Sequence, residues 1–274
     1  MKSTTKKNYK KELNAVKALL PELEEIINKL RADSEFRVEE KAKNDLVTTA
    51  DLASEAYLVD QIKELFPNDV IWAEENYSKL EELNQRIWII DPIDGTTNFS
   101  HGFAPYCISI ALWDRIELVV GLVYELAHKQ CFYATKGEGA YLNGSPLQVS
   151  SRSKPDESLI ATGFPYTEFS QVDPFLALLK LLFRETNGVR RAGSASYDLC
   201  AVAAGWVEGF FEQGLNAWDV AAGGLIVKEA GGELCDWDGG DKWLMGNQII
   251  AGNNPIKKYL LKRIQGIYPG LASA

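Results

Sequence analysis

The segment "WIIDPIDGTTNF", residues Trp88 to Phe99, runs from a short apolar stretch directly into two aspartates three positions apart. A continuous apolar run of this length, bounded by turn residues, is typical of a strand that is buried on both faces. A carboxylate at the end of such a strand is costly unless it is paired or bound to a cation. The segment therefore predicts a buried strand whose end requires a positive counter-charge.

The residues after the first aspartate favour a tight turn into a helix. Pro92 has no N–H and fixes the exit of the chain from the strand. Gly95 permits a positive φ or a close approach of the backbone. Thr96 and Thr97 are typical of a helix start, whose free N–H groups favour an anion. One short segment thus provides acids for a cation and amides for an anion.

Further acids stand where apolar segments end. Glu74 and Glu75 follow "DVIWA", and Asp219 lies in "AWDVAAGG". Two carboxylates about 4 Å apart repel each other by roughly 4 kcal/mol at an effective dielectric constant of 20. An all-oxygen ligand set without nearby Cys or His selects magnesium, manganese or calcium. Asp91 bridging two such ions, with phosphate at the amides of Gly95 and Thr96, would outline a two-metal phosphoester hydrolysis site.

The bulk properties exclude several classes of protein. The 274 residues carry a net charge of −9, which disfavours a non-specific grip on nucleic acid or on an anionic membrane. No stretch reaches the roughly 18 apolar residues of a membrane span, and the basic N-terminus lacks the apolar run of a signal peptide. The four cysteines are widely spaced and indicate reduced, buried thiols rather than zinc ligands. We expect a cytoplasmic protein with no membrane partner.

The pattern along the chain predicts interleaved helices and strands. An apolar stripe over residues 13–30 predicts a first helix, which Pro21 would kink or restart. The charged, aperiodic segment 33–45 predicts a mobile loop, and residues 50–66 predict a second helix. Strands are predicted at 69–75, 86–91, 107–113, 116–126, 130–137, 158–163 and 208–213. An Asn-Gly hairpin is predicted within 139–150. Further helices are predicted at 174–186 and from Trp218. A softer boundary lies near residue 150. This alternation predicts a layered α/β sandwich, without fixing the strand order.

Two long segments, "WIIDPIDGTTNF" and "WDVAAGGLIVKEAGG", resemble those of the inositol monophosphatases, within the lithium-sensitive, magnesium-dependent phosphatase superfamily. The resemblance extends from the first helix to "IIAGNN". It implies an α/β (α+β) fold, a layered α-β-α-β-α sandwich. It also implies an N-terminal half, residues 1–150, with most metal ligands, and a C-terminal half, residues 151–274, with Asp219 and the substrate contacts.

The resemblance implies two or three Mg²⁺ ions. The first would be held by Glu74, Asp91 and the backbone carbonyl of Ile93, and the second by Asp91, Asp94 and Asp219. A third, weaker ion would be held by Glu74 and water molecules. Mn²⁺ would be a possible substitute, whereas Li⁺ and Ca²⁺ would inhibit.

The resemblance also implies catalytic positions. The amides of Gly95 and Thr96 would bind the phosphate. The attacking water would lie near Glu74 and Thr96, and the Thr96 hydroxyl would be linked to Asp51 of "DLVTTAD". Glu74, Thr96 and Asp51 are therefore the expected catalytic residues.

The remaining positions implied by the resemblance concern the substrate. Lys41 matches a basic residue on a loop that folds over the site. Ser194 and Ala195 of "GSAS", with Glu212 of "FFEQG", match positions that contact sugar-alcohol hydroxyls. One departure is "WAEEN" in place of the more usual Gly-Glu-Glu-Ser, which keeps the acids but changes the packing beside them.

The implied activity is Mg²⁺-dependent hydrolysis of a phosphate monoester, with inositol monophosphate or a similar polyol phosphate as the expected substrate. Fructose 1,6-bisphosphate, histidinol phosphate, NADP and 3'-phosphoadenosine 5'-phosphate are alternatives within the superfamily. A regulatory protein that contacts the transcription machinery is an alternative outside enzymology. The resemblance further implies a homodimer, and the acidic charge predicts no nucleic-acid partner.

Several of these residues also fit a purely structural role. Asp219 and Asp51 are positioned like acids at helix starts, where the helix dipole favours them. Lys41 lies in a charged run typical of a solvated surface, and Glu212 fits an acid at the edge of a strand. At the level of sequence both interpretations stay open for each of the four.

Overall fold

The structure is a computed structural model that describes residues 8–34, 36–42, 45–76, 83–165 and 169–268. In chain order the elements are α1 (Lys10–Ala32), β1 (Val38–Ala42), β2 (Asp45–Thr48), α2 (Thr49–Leu65), β3 (Val70–Ala73), β4 (Arg86–Asp94), α3 (Thr96–His101), β5 (Cys107–Asp114), β6 (Leu118–Glu125), β7 (Gln130–Thr135), β8 (Ala140–Leu142), β9 (Ser145–Pro146), β10 (Leu159–Thr162), α4 (Val172–Glu185), β11 (Gly188–Arg190), α5 (Ala195–Ala203), β12 (Gly209–Gln213), α6 (Ala217–Glu229), β13 (Glu233–Cys235), β14 (Gln248–Gly252) and α7 (Asn254–Ile267). None of the described helices is both long and apolar enough to cross a membrane.

The larger sheet has seven strands in the order β3-β4-β5-β6-β7-β8-β9. Only β3 and β4 are parallel, and the other neighbours are antiparallel. Asp91 pairs with Ser109 and Asp94 pairs with Cys107, with an irregular register between the two pairs. Such an irregularity bends a strand and re-aims its side chains, so both aspartates lie at the end of β4 where the chain leaves the sheet.

The smaller sheet has five strands in the order β11-β10-β12-β14-β13. Strand β10 runs parallel to both of its neighbours, whereas β14 is antiparallel to β12 and β13. This mixed order was not derivable from the strand pattern. It places the carboxyl ends of β10 and β12 side by side, with Thr162 opposite Phe211.

Helices separate and cover the two sheets. Helices α1 and α2 contact the larger sheet at β6 and β4, and α5 and α6 lie between the sheets, in contact with strands of both. Helices α4 and α7 contact the smaller sheet from its other face. Three apolar clusters fill the spaces between these layers. The predicted α-β-α-β-α sandwich is therefore confirmed.

Several local predictions are also confirmed. In α1 the predicted stripe is buried, and α2 and α6 begin within a residue of the predicted positions. Helix α1 continues through Pro21, so the prediction of a restart there was wrong. Leu20 and Leu23, on either side of Pro21, are buried and hold the helix in place. The Asn143-Gly144 turn joins β8 to β9 with positive φ at both residues.

The prediction of a loop over residues 33–45 was wrong for the part that the structure describes. Strands β1 and β2 form an antiparallel pair, with Glu39 opposite Val47. The charged side chains of β1 are exposed, so this strand carries no apolar periodicity that would indicate it. Residues 35, 43 and 44 lie outside the described part. Strand β11 and helix α7 were not predicted.

Candidate metal centre

Three aspartates from two elements meet at one point. Asp91 and Asp94 come from the end of β4, and Asp219 from the first turn of α6. One carboxylate oxygen from each lies within 4.8 Å of the others. Asp219 is fixed by a capping box, in which its Oδ2 accepts the N–H of Asn216 at 2.6 Å. Its role as a helix-start acid and its place in this cluster are thus compatible.

Asp94 is held by the start of α5. Its Oδ2 accepts hydrogen bonds from the hydroxyl of Ser194 at 2.7 Å, the N–H of Ser196 at 2.7 Å and the hydroxyl of Ser196 at 2.5 Å. The Ser194 hydroxyl also accepts the N–H of Tyr197, as the N-cap of α5. Ser194, which the resemblance assigns to substrate contact, therefore also orients an acid of the cluster.

Glu74 directly follows β3, lines the cavity beside the cluster, and repels the carboxylate of Asp91. The ammonium of Lys41 lies 3.0 Å from Oε1 of Glu74 and 3.1 Å from both carboxylate oxygens of Glu75. The structure therefore places Lys41 against these two acids. Glu75 is itself positioned by Glu55, whose carboxylate accepts the N–H of Glu75 at 2.7 Å.

Without a cation, ionisation of the clustered aspartates is unfavourable. Burial, followed by repulsion from Glu74, Asp94 and Asp219, raises the pKa of Asp91 well above its ordinary value. Burial, followed by repulsion from Asp94 and Glu74, raises the pKa of Asp219, whereas the hydrogen bonds from Ser196 and Ser194 partly offset the effect of burial on the pKa of Asp94. Buried carboxylates that repel one another fit a hard divalent cation, which would restore their ionised form. The donor set therefore suits the predicted metal.

The turn after Asp94 brings backbone groups to the same place. Gly95 has φ of 94°, a region that favours glycine, and a Cβ there would lie 3.0 Å from the carbonyl oxygen of Gly193. Helix α3 begins at Thr96, as predicted. The backbone carbonyl of Ile93 accepts a hydrogen bond from the Thr96 hydroxyl at 3.1 Å, while the Ile93 N–H donates to Asp91.

Asp51 reaches the site from the first turn of α2. Its Oδ1 lies 3.2 Å from the Thr96 hydroxyl, and its Oδ2 accepts the N–H of Thr48 at 2.9 Å and the Thr48 hydroxyl. Burial raises the pKa of Asp51 to about 6, although the bonds from Thr48 act in the opposite direction. The geometry brings together the pair that the resemblance links.

A cavity of about 170 Å³ opens beside the acids. Its lining combines predicted residues with others that sequence reasoning missed: Leu46, Glu74, Asp94, Gly95, Thr96, Gly163, Arg191, Ser194, Ala195, Asp198, Glu212 and Asp219. Asp198 was missed because the segment 193–205 was interpreted only as rich in small residues, and Arg191, just before this segment, carried no sequence signal. Recognising it as a helix would have placed Asp198 one turn after Ser194, on the same side.

The fold and this acidic cavity define a layered α/β protein with carboxylates that could bind a metal ion. Residues 8–267 match the inositol monophosphatase family, and the chain belongs to this family.

Several proteins with similar sequences are named Nus factors. A protein of Neisseria meningitidis serogroup B, called a putative Nus factor SuhB, is 45% identical over 228 residues, covering 83% of this chain and 87% of its own. The Nus factor SuhB of Escherichia coli K12 is 40% identical over 227 residues, covering 82% and 85%.

Solved structures share the whole fold. An IMPase of Thermotoga maritima superposes with a TM-score of 0.85 at 32% identity, covering 94% of this chain and 98% of its own. An inositol monophosphatase from Anabaena gives a TM-score of 0.83 at 33% identity, covering 97% and 100%. The family resemblance drawn from the two sequence segments is confirmed.

Proposed function

We propose that the protein is a divalent-cation-dependent phosphate monoester hydrolase that acts on inositol monophosphate or a similar polyol phosphate. The observation that carries this proposal is the meeting of Asp91, Asp94 and Asp219 beside a cavity that also contains Thr96, itself bonded to Asp51. Membership of the inositol monophosphatase family supports it.

The proposed metal ligands are the side chains of Glu74, Asp91, Asp94 and Asp219 and the carbonyl of Ile93. We propose two to three Mg²⁺ ions, with Mn²⁺ as a substitute and with Li⁺ and Ca²⁺ as inhibitors. When bound, such ions supply Lewis acidity and a more acidic water. The repulsion among the buried acids supports this assignment, because a cation would relieve it.

The groups of the chain itself would position the reactants. The amides of Gly95 and Thr96 are proposed to hold phosphate oxygens at the cavity wall. The Thr96 hydroxyl is proposed to orient the attacking water. The ionised carboxylate of Asp51 is proposed to accept a hydrogen bond from this hydroxyl. Thr48 keeps Asp51 in this orientation by occupying its other oxygen.

The alcohol part of the substrate would contact Ser194, Ala195 and Glu212, which line the cavity from the smaller sheet and from α5. Lys41 is proposed to assist only after it leaves Glu74 and Glu75, because in this structure those acids hold its ammonium. These contacts favour a hydroxyl-rich substrate over an apolar one.

A phosphate-release screen tests the proposed function. Purified protein with Mg²⁺ is offered inositol 1-phosphate, fructose 1,6-bisphosphate, histidinol phosphate, NADP and 3'-phosphoadenosine 5'-phosphate. We expect the highest kcat/KM with inositol 1-phosphate. No release above the chelated control with any of the five would refute the proposal.

The names of the relatives favour a second function. Because proteins 40% to 45% identical to this chain are named Nus factors, we propose that the chain also contacts the transcription machinery. With this role the chain would have a protein partner in addition to its small-molecule substrate. The homodimer and the absence of a nucleic-acid partner stay predictions. Pull-down with wild-type protein and with Asp91→Asn separates the two functions, since binding that needs no metal should survive the substitution.

A further inference from the structure

The cavity has a second pair of acids, which come from elements other than β4. Asp198 of α5 and Glu212 of β12 both line it. Asp198 is only 3% exposed. Within the part of the chain that the structure describes, neither carboxylate takes part in a hydrogen bond or an ion pair. Burial of a carboxyl group without hydrogen bonds is costly.

Asp198 owes its position to the start of α5. Its backbone N–H donates to the carbonyl of Ser194 at 3.0 Å, in the first turn of the helix. Its side chain therefore lies on the same side of α5 as Ser194, which already faces Asp94. The helix that orients one acid of the metal centre thus also presents a second acid to the cavity.

Glu212 owes its position to a glycine on the neighbouring strand end. A Cβ built on Gly163 would lie 1.8 Å from Oε1 of Glu212, so the carboxylate occupies the space of the missing side chain. Gly163 directly follows β10, which is parallel to β12. The absence of a side chain at Gly163 therefore permits this orientation of Glu212 at the cavity wall.

Arg191 is the one cationic side chain among the described residues that line this cavity. Arg191 lines the same cavity, attracts both carboxylates, and holds its guanidinium carbon 5.6 Å from the centre of the Phe164 ring. Within the described part of the chain, this side of the cavity therefore combines two carboxyl groups with one guanidinium. Both kinds of group form hydrogen bonds with hydroxyl groups.

We propose that Asp198 is a specificity-determining residue that, together with Glu212, binds hydroxyl groups of the substrate alcohol. This inference rests on the proposed phosphatase function, and it adds Asp198 to the residues that distinguish one substrate alcohol from another.

The test compares wild-type protein with Asp198→Asn, and with Asp173→Asn as a control that removes an exposed acid from α4. For Asp198→Asn we expect kcat/KM for inositol 1-phosphate to fall about tenfold or more, the range for a hydrogen bond to a charged group. The value for p-nitrophenyl phosphate should change less than about twofold, because that substrate offers no hydroxyl there. Equal losses with both substrates would overturn the proposal.

Two further measurements keep a structural role and a failed function apart. The melting temperature of Asp198→Asn should equal or exceed that of wild type, because within the described residues the Asp198 carboxyl group makes no hydrogen bond that the substitution could remove; a clear drop would indicate a structural acid and overturn the proposal. Calorimetric titration with myo-inositol, in the presence of Mg²⁺ and phosphate, should show weaker binding to Asp198→Asn than to wild type. If no substrate is hydrolysed but this difference is present, the proposed activity fails and the polyol site stands. If hydrolysis is found and the difference is absent, the polyol site fails.

Discussion

The hydroxyl oxygen of Thr96 lies 3.2 Å from Oδ1 of Asp51, although 45 positions separate the two residues in the chain. Asp51 is at the same time the third residue of α2, where its other oxygen completes a capping box with Thr48. The structural and the functional interpretations of Asp51 are therefore compatible. The helix cap orients the carboxylate, and its free oxygen faces the candidate site.

This pair predicts a shared contribution to catalysis. Thr96→Ala should lower kcat far more than it raises KM, because the hydroxyl is proposed to act on the attacking water. If the two residues act as a relay, Asp51→Asn should cost little further activity once Thr96→Ala has been made. Ser100→Ala, which removes a hydroxyl bonded within the same helix, is the control. Additive losses in the double-mutant cycle would contradict the relay.

The acids predict an unusual pH dependence of stability in chelated protein. Burial raises the pKa of Asp51 from 3.8 to about 6, and burial with repulsion from Glu74 raises that of Glu75 from 4.5 to about 7. A carboxyl with a raised pKa in the folded state stabilises the fold while protonated, and this contribution is lost as the pH rises through the raised value.

The melting temperature in EDTA should therefore fall as the pH rises from about 4 to about 7, and Mg²⁺ should restore much of it at pH 7. Thermal scans across this range, with and without Mg²⁺, measure the effect. A melting temperature in EDTA that rises steadily over the same interval would show that these acids are ionised at no cost in the folded protein.

Lys41 predicts a competition between an ammonium and a metal. Its ammonium neutralises Glu74 and Glu75, which would otherwise attract a metal cation. Lys41→Met should lower the Mg²⁺ concentration for half-maximal activity by roughly two- to fivefold, the range for a partly exposed ion pair. Lys154→Met, which removes a lysine paired with Glu157 on the surface, is the control. An unchanged or higher Mg²⁺ requirement would contradict the competition.

The sequence predicted the parts of this molecule that depend on local pattern. The end of β4 was identifiable because an apolar strand that runs into Asp91 and Asp94 buries two charges at a cost. Asp219 was identifiable because it lies at the start of an apolar helix. The order of strands in the smaller sheet depends on long-range pairing, such as that of β10 with both β11 and β12. The role of Asp198 was not predicted because it depends on Glu212, fourteen residues away and on another element.

Gly163 predicts a specific effect of a single methyl group. Gly163→Ala would place its Cβ against Oε1 of Glu212 and displace the carboxylate. We expect kcat/KM for inositol 1-phosphate to fall about tenfold, with p-nitrophenyl phosphate nearly unaffected. In a Glu212→Ala background the same change should have little further effect on activity. Gly266→Ala, in α7 where nothing lies near the added carbon, is the control. Equal losses with both substrates would indicate general disruption.

The acids of β4 and α6 are proposed to hold the cation on which phosphate release depends. The most direct test is the kcat for phosphate release from inositol 1-phosphate by Asp91→Asn and wild type across a Mg²⁺ titration. We expect the wild type to be inactive in EDTA and active with Mg²⁺. A neutral amide cannot replace the charge of Asp91, so the variant should lose at least roughly a thousandfold in kcat while keeping its fold. A variant that keeps a tenth of the wild-type kcat, or a wild type fully active in EDTA, would contradict this role of the acids.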